Sequence, residues 1–221
     1  MKWIRWLLLP LLLVLATGLG YAVLSLPDQA PGLQGAVAGQ LEKSGVTNPV
    51  TAVLLNFRGY DTLLEMVVLL LALLGVWSLG ASPAACEQST PGPVLDTLTR
   101  LLVPVLVVVA GYLLWAGAHA PGGAFQAGAL LGAAGVLLTL TGGRVRNGLG
   151  RRALRVALVA GMVAFMAVAV LTLQSGRELL AYPPGQAGVL ILLIETAATV
   201  SIGVTLAALF LGGDPAEGNE R

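Results

Sequence analysis

Residues 187–211 read AGVLILLIETAATVSIGVTLAALFL, an apolar run that contains a single acidic residue, Glu195. A helix crosses the roughly 30 Å hydrocarbon core of a bilayer with about 20 predominantly apolar residues, so this run is long enough to span a membrane. Five further stretches have the same character: Trp3–Leu24, Thr62–Leu79, Leu98–Ala118, Ala124–Gly142 and Ala153–Leu173. The sequence therefore predicts an all-α, polytopic membrane protein with about six transmembrane helices.

The composition supports this class and excludes several others. Of the 221 residues, 57% are hydrophobic and only 10% are charged, whereas about 25% are charged in a typical soluble domain. A net charge of +1 does not favour nucleic acid as a partner. Cys86 and His119 are the only residues of their types, so we expect no metal centre and no cofactor. Nor does the sequence contain a nucleophile–base–acid set or a phosphate-binding glycine loop, and we expect no enzymatic activity.

The basic residues predict the orientation. With the N-terminus inside, three basic residues are external: Lys43, Arg58 and Arg177. The other nine are then cytoplasmic: Lys2, Arg5, Arg100, Arg144, Arg146, Arg151, Arg152, Arg155 and Arg221. Cytoplasmic loops carry the excess of Lys and Arg, so we expect both termini on the cytoplasmic side of the cell (inner, plasma) membrane.

The first apolar run has two interpretations. Lys2 and Arg5, an apolar segment and Gly20-Tyr21-Ala22 fit a cleavable signal peptide. The length of the run, with Trp3 and Trp6 suited to the membrane interface, favours a retained span. The rest of the topology is the same in either case.

Small residues and prolines divide the chain. They predict a linker at 81–97 between a two-span module, residues 1–80, and a four-span module, residues 98–221. Asn48-Pro49 is typical of the start of a helix. Glycines and alanines at three- and four-residue intervals, such as Gly128, Gly132 and Gly161, allow close helix packing. That packing is either within this chain or against a helix of another subunit.

Acidic residues inside spans are the first candidates for function, because an ionisable group in hydrocarbon is costly. Glu65 and Glu195 are the two clear cases. Arg58, Asp61 and Glu65 follow one another at helical spacing and share a face, which suits a proton or cation path. The alternative is that Asp61 caps the second span and Arg58 anchors it at the headgroups.

Two further candidates accompany these acids. Thr199 lies one helical turn from Glu195, so its hydroxyl is expected near that side chain. The pair suits either ion conduction or the joining of two helices. His119 lies in a glycine-containing turn between the third and fourth spans, as either a functional or a solvated histidine.

Two motifs carry a resemblance to a known family. GAHAPGGAFQAG at 117–128 resembles a turn in the B subunit of multisubunit Mrp (Mnh) Na+/H+ antiporters. FRGYDTLLE at 57–65 is similar to the C-terminal segment of the large A subunit of those antiporters and to a small subunit of membrane-bound hydrogenases. Arg58, Asp61 and Glu65 match this second motif, and the resemblance implies that they contribute to a proton or cation path.

Three positions depart from the family pattern. The family turn usually has histidine at the position of Ala118, so His119 is one residue late, and Ala124 replaces a third glycine. Asn56 stands where aspartate is frequent, and Gln126 is similar to the hydrogenase branch.

Three functions follow from the resemblance and the acids. The first is a membrane subunit of a Na+/H+ antiporter, with other membrane subunits and the bilayer as partners and Na+ and H+ as transported ions. The second is an ion-translocating subunit of a hydrogenase-like or related respiratory complex. The third is a structural scaffold in which the acids only join helices.

Overall fold

The computed structural model describes residues 2–26, 32–79, 92–141, 150–174, 180–183 and 185–212. In these ranges the chain is mostly helical and contains no strand, which confirms the all-α prediction. The helices are α1 (Lys2–Leu24), α2 (Gln34–Ser44), α3 (Pro49–Ala52), α4 (Gly59–Ser78), α5 (Pro93–Ala116), α6 (Ala124–Leu140), α7 (Arg151–Gln174) and α8 (Ala187–Leu211). Most of the predicted linker, together with Arg144, Arg146, Arg177 and Arg221, lies outside the described residues.

Several of the helices are long enough to cross a membrane. Four of them are long and apolar enough to cross a bilayer: Gly59–Ser78, Pro93–Ala116, Arg152–Gln174 and Ala187–Leu211. The other two predicted spans correspond to shorter apolar helical stretches, Leu9–Leu24 and Ala124–Leu140. Large apolar side chains on the long helices are exposed, for example Leu101, Val108 and Val189. Such surfaces are expected of helices whose solvent is lipid.

The chain forms two compact units, residues 1–36 and 37–221. The first unit contains α1, in which Pro10 lies inside the helix. In the second unit, α8 packs against α4, α6 and α7. Ile191, Ile194 and Ala198 of α8 are buried there, together with Phe165 of α7.

Small residues bring α8 close to its neighbours. A Cβ on Gly128 would lie 2.8 Å from Cβ of Ile202, and one on Gly161 would lie 2.8 Å from Cα of Ala198. A Cβ on Gly132 would lie 3.0 Å from Cβ of Leu206. Of the two uses predicted for these faces, the glycines therefore serve packing within the chain.

A break separates α3 from α4. Residues Val53–Phe57 form a π-helical turn, and such turns are frequent at functional sites. The hydroxyl of Thr62 donates to the Leu54 carbonyl at 2.6 Å, and the hydroxyl of Tyr182 donates to the Leu55 carbonyl at 2.7 Å. Burial raises the pKa of Tyr182, so that side chain keeps its proton and remains a donor. Hydrogen bonds from these two side chains therefore stabilise the π-helical turn.

The close packing of α6 on α8 can be tested with two glycine substitutions. We expect Gly128→Ala to lower the temperature at which the purified protein loses its native size-exclusion peak, because overpacking costs about 1–3 kcal/mol. Gly111 of α5 is the matched control, since no atom of the described residues outside its own stretch of helix lies within 4 Å of its Cβ position. There, alanine should leave that temperature unchanged or raise it, because Gly is the poorer helix former by about 0.5–1 kcal/mol. Equal effects of the two substitutions on that temperature would contradict the close packing of Gly128 against α8.

Candidate functional site

The segment between α5 and α6, which we call the glycine turn (residues 117–123), folds back on the end of α5. The main-chain N–H groups of Gly117 and Gly123 both donate to the Leu113 carbonyl, at 3.1 and 2.9 Å. A Cβ on Gly122 would lie 2.3 Å from that same oxygen. Gly123 has φ +110 and ψ −173, a conformation that is essentially restricted to glycine. These glycines therefore allow α6 to begin directly beside the end of α5.

Asn48 attaches the glycine turn to the start of α3. Its Oδ1 accepts from the N–H of Val50 at 3.0 Å, which caps α3. Its Nδ2 donates to the carbonyls of Gly117 and Ala120, at 3.0 and 2.8 Å. Thr51 adds a hydroxyl bond to the Gly117 carbonyl. Residues far apart in the sequence thus hold the turn in one position.

Glu195 of α8 lies against this turn. The side chain is only 4% exposed, and its carboxylate accepts from the main-chain N–H of Ala124, the first residue of α6. Oε1 lies 2.9 Å from the position of a Cβ on Gly123 and 3.4 Å from that of one on Gly117. The carboxylate therefore occupies space that the two missing side chains leave, at the positive end of the α6 dipole.

A small cavity lies next to Glu195. Its volume is about 40 Å³, and its lining includes Thr51, Thr62, Gln126 and Glu195. Oε2 of Glu195 is buried and has no hydrogen-bond partner among the described residues. A carboxylate oxygen in this state is expected to need a donor, because an unsatisfied buried polar group costs about 1–3 kcal/mol.

An open groove of about 930 Å³ runs beside the cavity. It is mostly apolar, with Leu64, Val68 and Leu206 in its lining, and its polar residues are Asp61, Glu65 and Gln126. Phe125 and Gln126 line both the groove and the cavity. The first turn of α6 therefore contributes both to the cavity that Glu195 lines and to the groove that the acids of α4 line.

The three residues predicted to share a face lie at the start of α4 and form one ion pair among themselves. Arg58 forms an ion pair with Asp61. Within the part of the chain that the structure describes, Glu65 forms no ion pair and is exposed in the groove. Glu65 is not part of that ion pair, and a role of the three residues in a proton or cation path stays a prediction. Arg58 and Asp61 are three residues apart where α4 begins, and residues at that spacing are neighbours on a helix surface.

The two other candidates, Thr199 and His119, have different contacts. The hydroxyl of Thr199 donates to the main-chain carbonyl of Glu195 at 2.7 Å, a bond that helical threonines commonly form. The proton of this hydroxyl therefore goes to the main chain of Glu195, and a role of Thr199 in an ion path stays a prediction. His119 is exposed, and its ring lies 6.4 Å from that of Trp115, measured between centroids.

Sequence reasoning missed the structural roles of Asn48, Thr51 and Gln126. The Asn48-Pro49 pair indicated a helix start and nothing more. No local pattern indicates that the same amide also binds a turn near residue 120, because that bond depends on tertiary contact.

A family model supplies the identification. The model described as "Domain related to MnhB subunit of Na+/H+ antiporter" matches residues 94–211, which is more than half of the chain. The chain belongs to the MnhB family. It is accordingly a multi-pass protein of the plasma membrane, with several helices capable of spanning it.

The site lies on both sides of the boundary of the MnhB match. The glycine turn, Glu195 and Thr199 fall inside the matched range, whereas Asn48, Arg58, Asp61 and Glu65 precede it. The likeness of residues 1–80 to an antiporter A-subunit segment stays a prediction, as do the boundaries of the two modules.

Two solved structures share the fold. The Mrp complex from Dietzia sp. DQ12-45-1b matches with a TM-score of 0.67 and 22% identity, over 97% of this chain and 26% of that chain. The MnhB-family chain thus spans about a quarter of the chain it matches there. The membrane-bound sulfane sulfur reductase (MBS), an archaeal respiratory membrane complex, matches with a TM-score of 0.65 and 24% identity, over 94% of this chain and 97% of that chain. No curated protein matches the chain.

The attachment of the glycine turn yields a prediction. Asn48→Asp keeps the oxygen that caps α3 and removes the amide donors to Gly117 and Ala120. Since the buried Gly117 carbonyl and the partly buried Ala120 carbonyl each lose a donor, we expect the protein to be about 1–3 kcal/mol less stable, seen as a lower midpoint of thermal unfolding in detergent. Thr47→Val is the control, because Thr47 donates to Ala118 from an exposed position. A midpoint for Asn48→Asp equal to that of the control would contradict the role of Asn48.

Proposed function

We propose that this chain is a membrane subunit of a multisubunit Na+/H+ antiporter, in which it contributes to the ion path and to assembly. The observation that carries the proposal is Glu195, a buried carboxylate inside a membrane-length helix with one oxygen lacking a partner among the described residues. Acidic residues within membrane-spanning helices generally mark ion or proton pathways. The MnhB membership of the chain supports antiport as the process.

The neighbouring groove supports a continuous path. Asp61 and Glu65 line the groove, Glu195 lines the cavity, and Gln126 belongs to both linings. Ions or protons would pass between the acids of α4 and Glu195 past the side chain of Gln126. Arg58, paired with Asp61, lowers the net negative charge at this position.

The partners are other membrane subunits, because both similar structures are multisubunit membrane complexes. The chain itself carries out no chemical reaction in this proposal. It moves Na+ and H+ only as part of the assembly, with lipid around its exposed apolar helices.

The test uses the native complex, purified through a tag on this chain and reconstituted into vesicles. We expect an imposed Na+ gradient to change the internal pH. We also expect Glu65→Gln to reduce that change sharply while the complex still assembles, because the variant removes only an exposed charge from the groove. The companion proteins are identified by mass spectrometry in the same preparation. Exchange at the wild-type rate by the Glu65→Gln complex would remove Glu65 from the path.

A second candidate is an ion-translocating subunit of a respiratory membrane complex. The match to the MBS chain over 97% of its length favours it. In that case the companion proteins would carry redox centres, and ion movement would require an electron donor. A scaffold without conduction remains the third outcome, in which variants of the acids alter assembly alone.

A further inference from the structure

The cavity beside Glu195 and the N-terminus of α6 together indicate whether this site binds a proton or a metal cation. We propose that the cavity binds water and that Glu195 exchanges a proton through it, not a metal cation. This inference rests on the proposed function, since it assumes that Glu195 lies on the transfer path.

The electrostatic surroundings disfavour a metal cation. Glu195 accepts from the N–H of Ala124, at the start of α6. The N-terminus of a helix carries a positive partial charge and favours anions. Among the described residues that line the cavity, Glu195 is the only acidic one. A cation there would meet one carboxylate and a repelling dipole, whereas a proton neutralises the carboxylate and leaves no net charge behind.

The size and polarity of the cavity suit water. Its volume of about 40 Å³ exceeds the roughly 10–15 Å³ that one water molecule requires. A buried water also needs two to four polar partners. Oε2 of Glu195 is one acceptor, and the hydroxyl oxygens of Thr51 and Thr62 retain lone pairs while their protons go to main-chain carbonyls.

Gln126 provides the connection to the groove. Its Oε1 lies 3.8 Å from the Cβ position of Gly123, and Oε1 of Glu195 lies 2.9 Å from the same point. Both side chains therefore approach the same position on the glycine turn. A proton leaving Glu195 passes to a cavity water and from there past Gln126 toward the groove.

The other titratable groups on elements packed around Glu195 do not line the cavity. Asp61 and Glu65 of α4 line the groove, and Arg58 pairs with Asp61. His119 of the glycine turn is exposed beside Trp115, and Tyr182 donates to the Leu55 carbonyl. Arg152 and Arg155 of α7 lie in its first turns, before Leu158, whose carbonyl accepts from Ser201 further along α8. A titration signal from the cavity is thus assigned to Glu195.

The test is infrared difference spectroscopy of the purified complex, which needs no transport. Lowering the pH at fixed Na+ should produce a protonated-carboxyl band that Glu195→Gln removes and Glu65→Gln retains. Raising Na+ at fixed pH should leave that band unchanged. A band that Na+ abolishes would overturn the proposal, and so would the absence of any Glu195-dependent band across the pH range in which the complex is intact.

A second variant, Glu195→Asp, is used if the complex with Glu195→Gln does not assemble. Glu195→Asp keeps a carboxyl and should shift the band instead of removing it. If transport is lost in all preparations while the band behaves as expected, the proposed antiport function fails and the proton site stands. If transport is normal and Na+ displaces the proton band, the antiport function stands and the proton site fails.

Discussion

Glu195→Gln is expected to lower Na+-driven proton exchange by the reconstituted complex by about 100-fold, in line with the contribution of positioned proton-transfer groups. Glutamine has nearly the shape of glutamate, and its carbonyl oxygen can still accept from the N–H of Ala124. The variant therefore removes the exchangeable proton while it keeps the contact between α8 and the glycine turn. The amount of assembled complex, measured by size-exclusion chromatography, should stay close to that of the wild type.

The control for this variant is on the same helix. Thr196 is exposed and its hydroxyl donates to the Leu192 carbonyl of the same helix, so Thr196→Val should preserve exchange. Glu195→Leu separates the two roles of the residue further, because it also removes the acceptor for Ala124 and should reduce assembly. If Glu195→Gln exchanged ions at the wild-type rate, Glu195 would be a packing group and the scaffold hypothesis would be preferred.

Gly123→Ala is expected to abolish exchange and to lower the stability of the protein by about 1–3 kcal/mol, the usual cost of a strained backbone conformation. The new Cβ would lie 2.9 Å from Oε1 of Glu195, closer than real side chains approach. Either the carboxylate moves away from the start of α6 or the glycine turn moves. Both changes would separate Glu195 from its donor at Ala124, and transport should fall together with stability.

Gly185 is the matched control for Gly123. It also has a positive φ, +79, but among the described residues no atom beyond its own chain neighbours lies within 4 Å of its Cβ position. Gly185→Ala therefore carries backbone strain without contact with Glu195, and exchange per assembled complex should remain near the wild-type value. Exchange and thermal midpoint are measured on the same preparations. Equal losses of exchange in the two variants would show that strain alone, and not displacement of Glu195, is responsible.

Much of the membrane architecture follows from local sequence. The predicted spans Ala187–Leu211 and Ala153–Leu173 agree closely with α8 and α7, because helix length in a bilayer is dictated by hydrocarbon thickness. The motif at 117–128 likewise indicated the family that the match at 94–211 confirms. The start of α5 differed from the prediction, since Pro93 begins the helix before the apolar run at Leu98.

The small-residue faces illustrate the limit of pattern reasoning. Gly128 and Gly132 have the same spacing whether they receive α8 or a helix of another subunit. Only the tertiary structure assigns them to α8, where Ile202 and Leu206 fill the space.

By itself, the sequence determined that this chain is a helical membrane protein, where its spans lie, which carboxylates fall inside them and which family its turn resembles. These features depend on residues that are close along the chain. The tertiary structure alone decided that Glu195 lies against Gly123 and Ala124, that Asn48 holds the glycine turn, and that Arg58 pairs with Asp61 and not with Glu65. The first two contacts join segments distant in sequence, and the third depends on how α4 begins after the π-helical turn, so all three follow from how the helices pack and where they break.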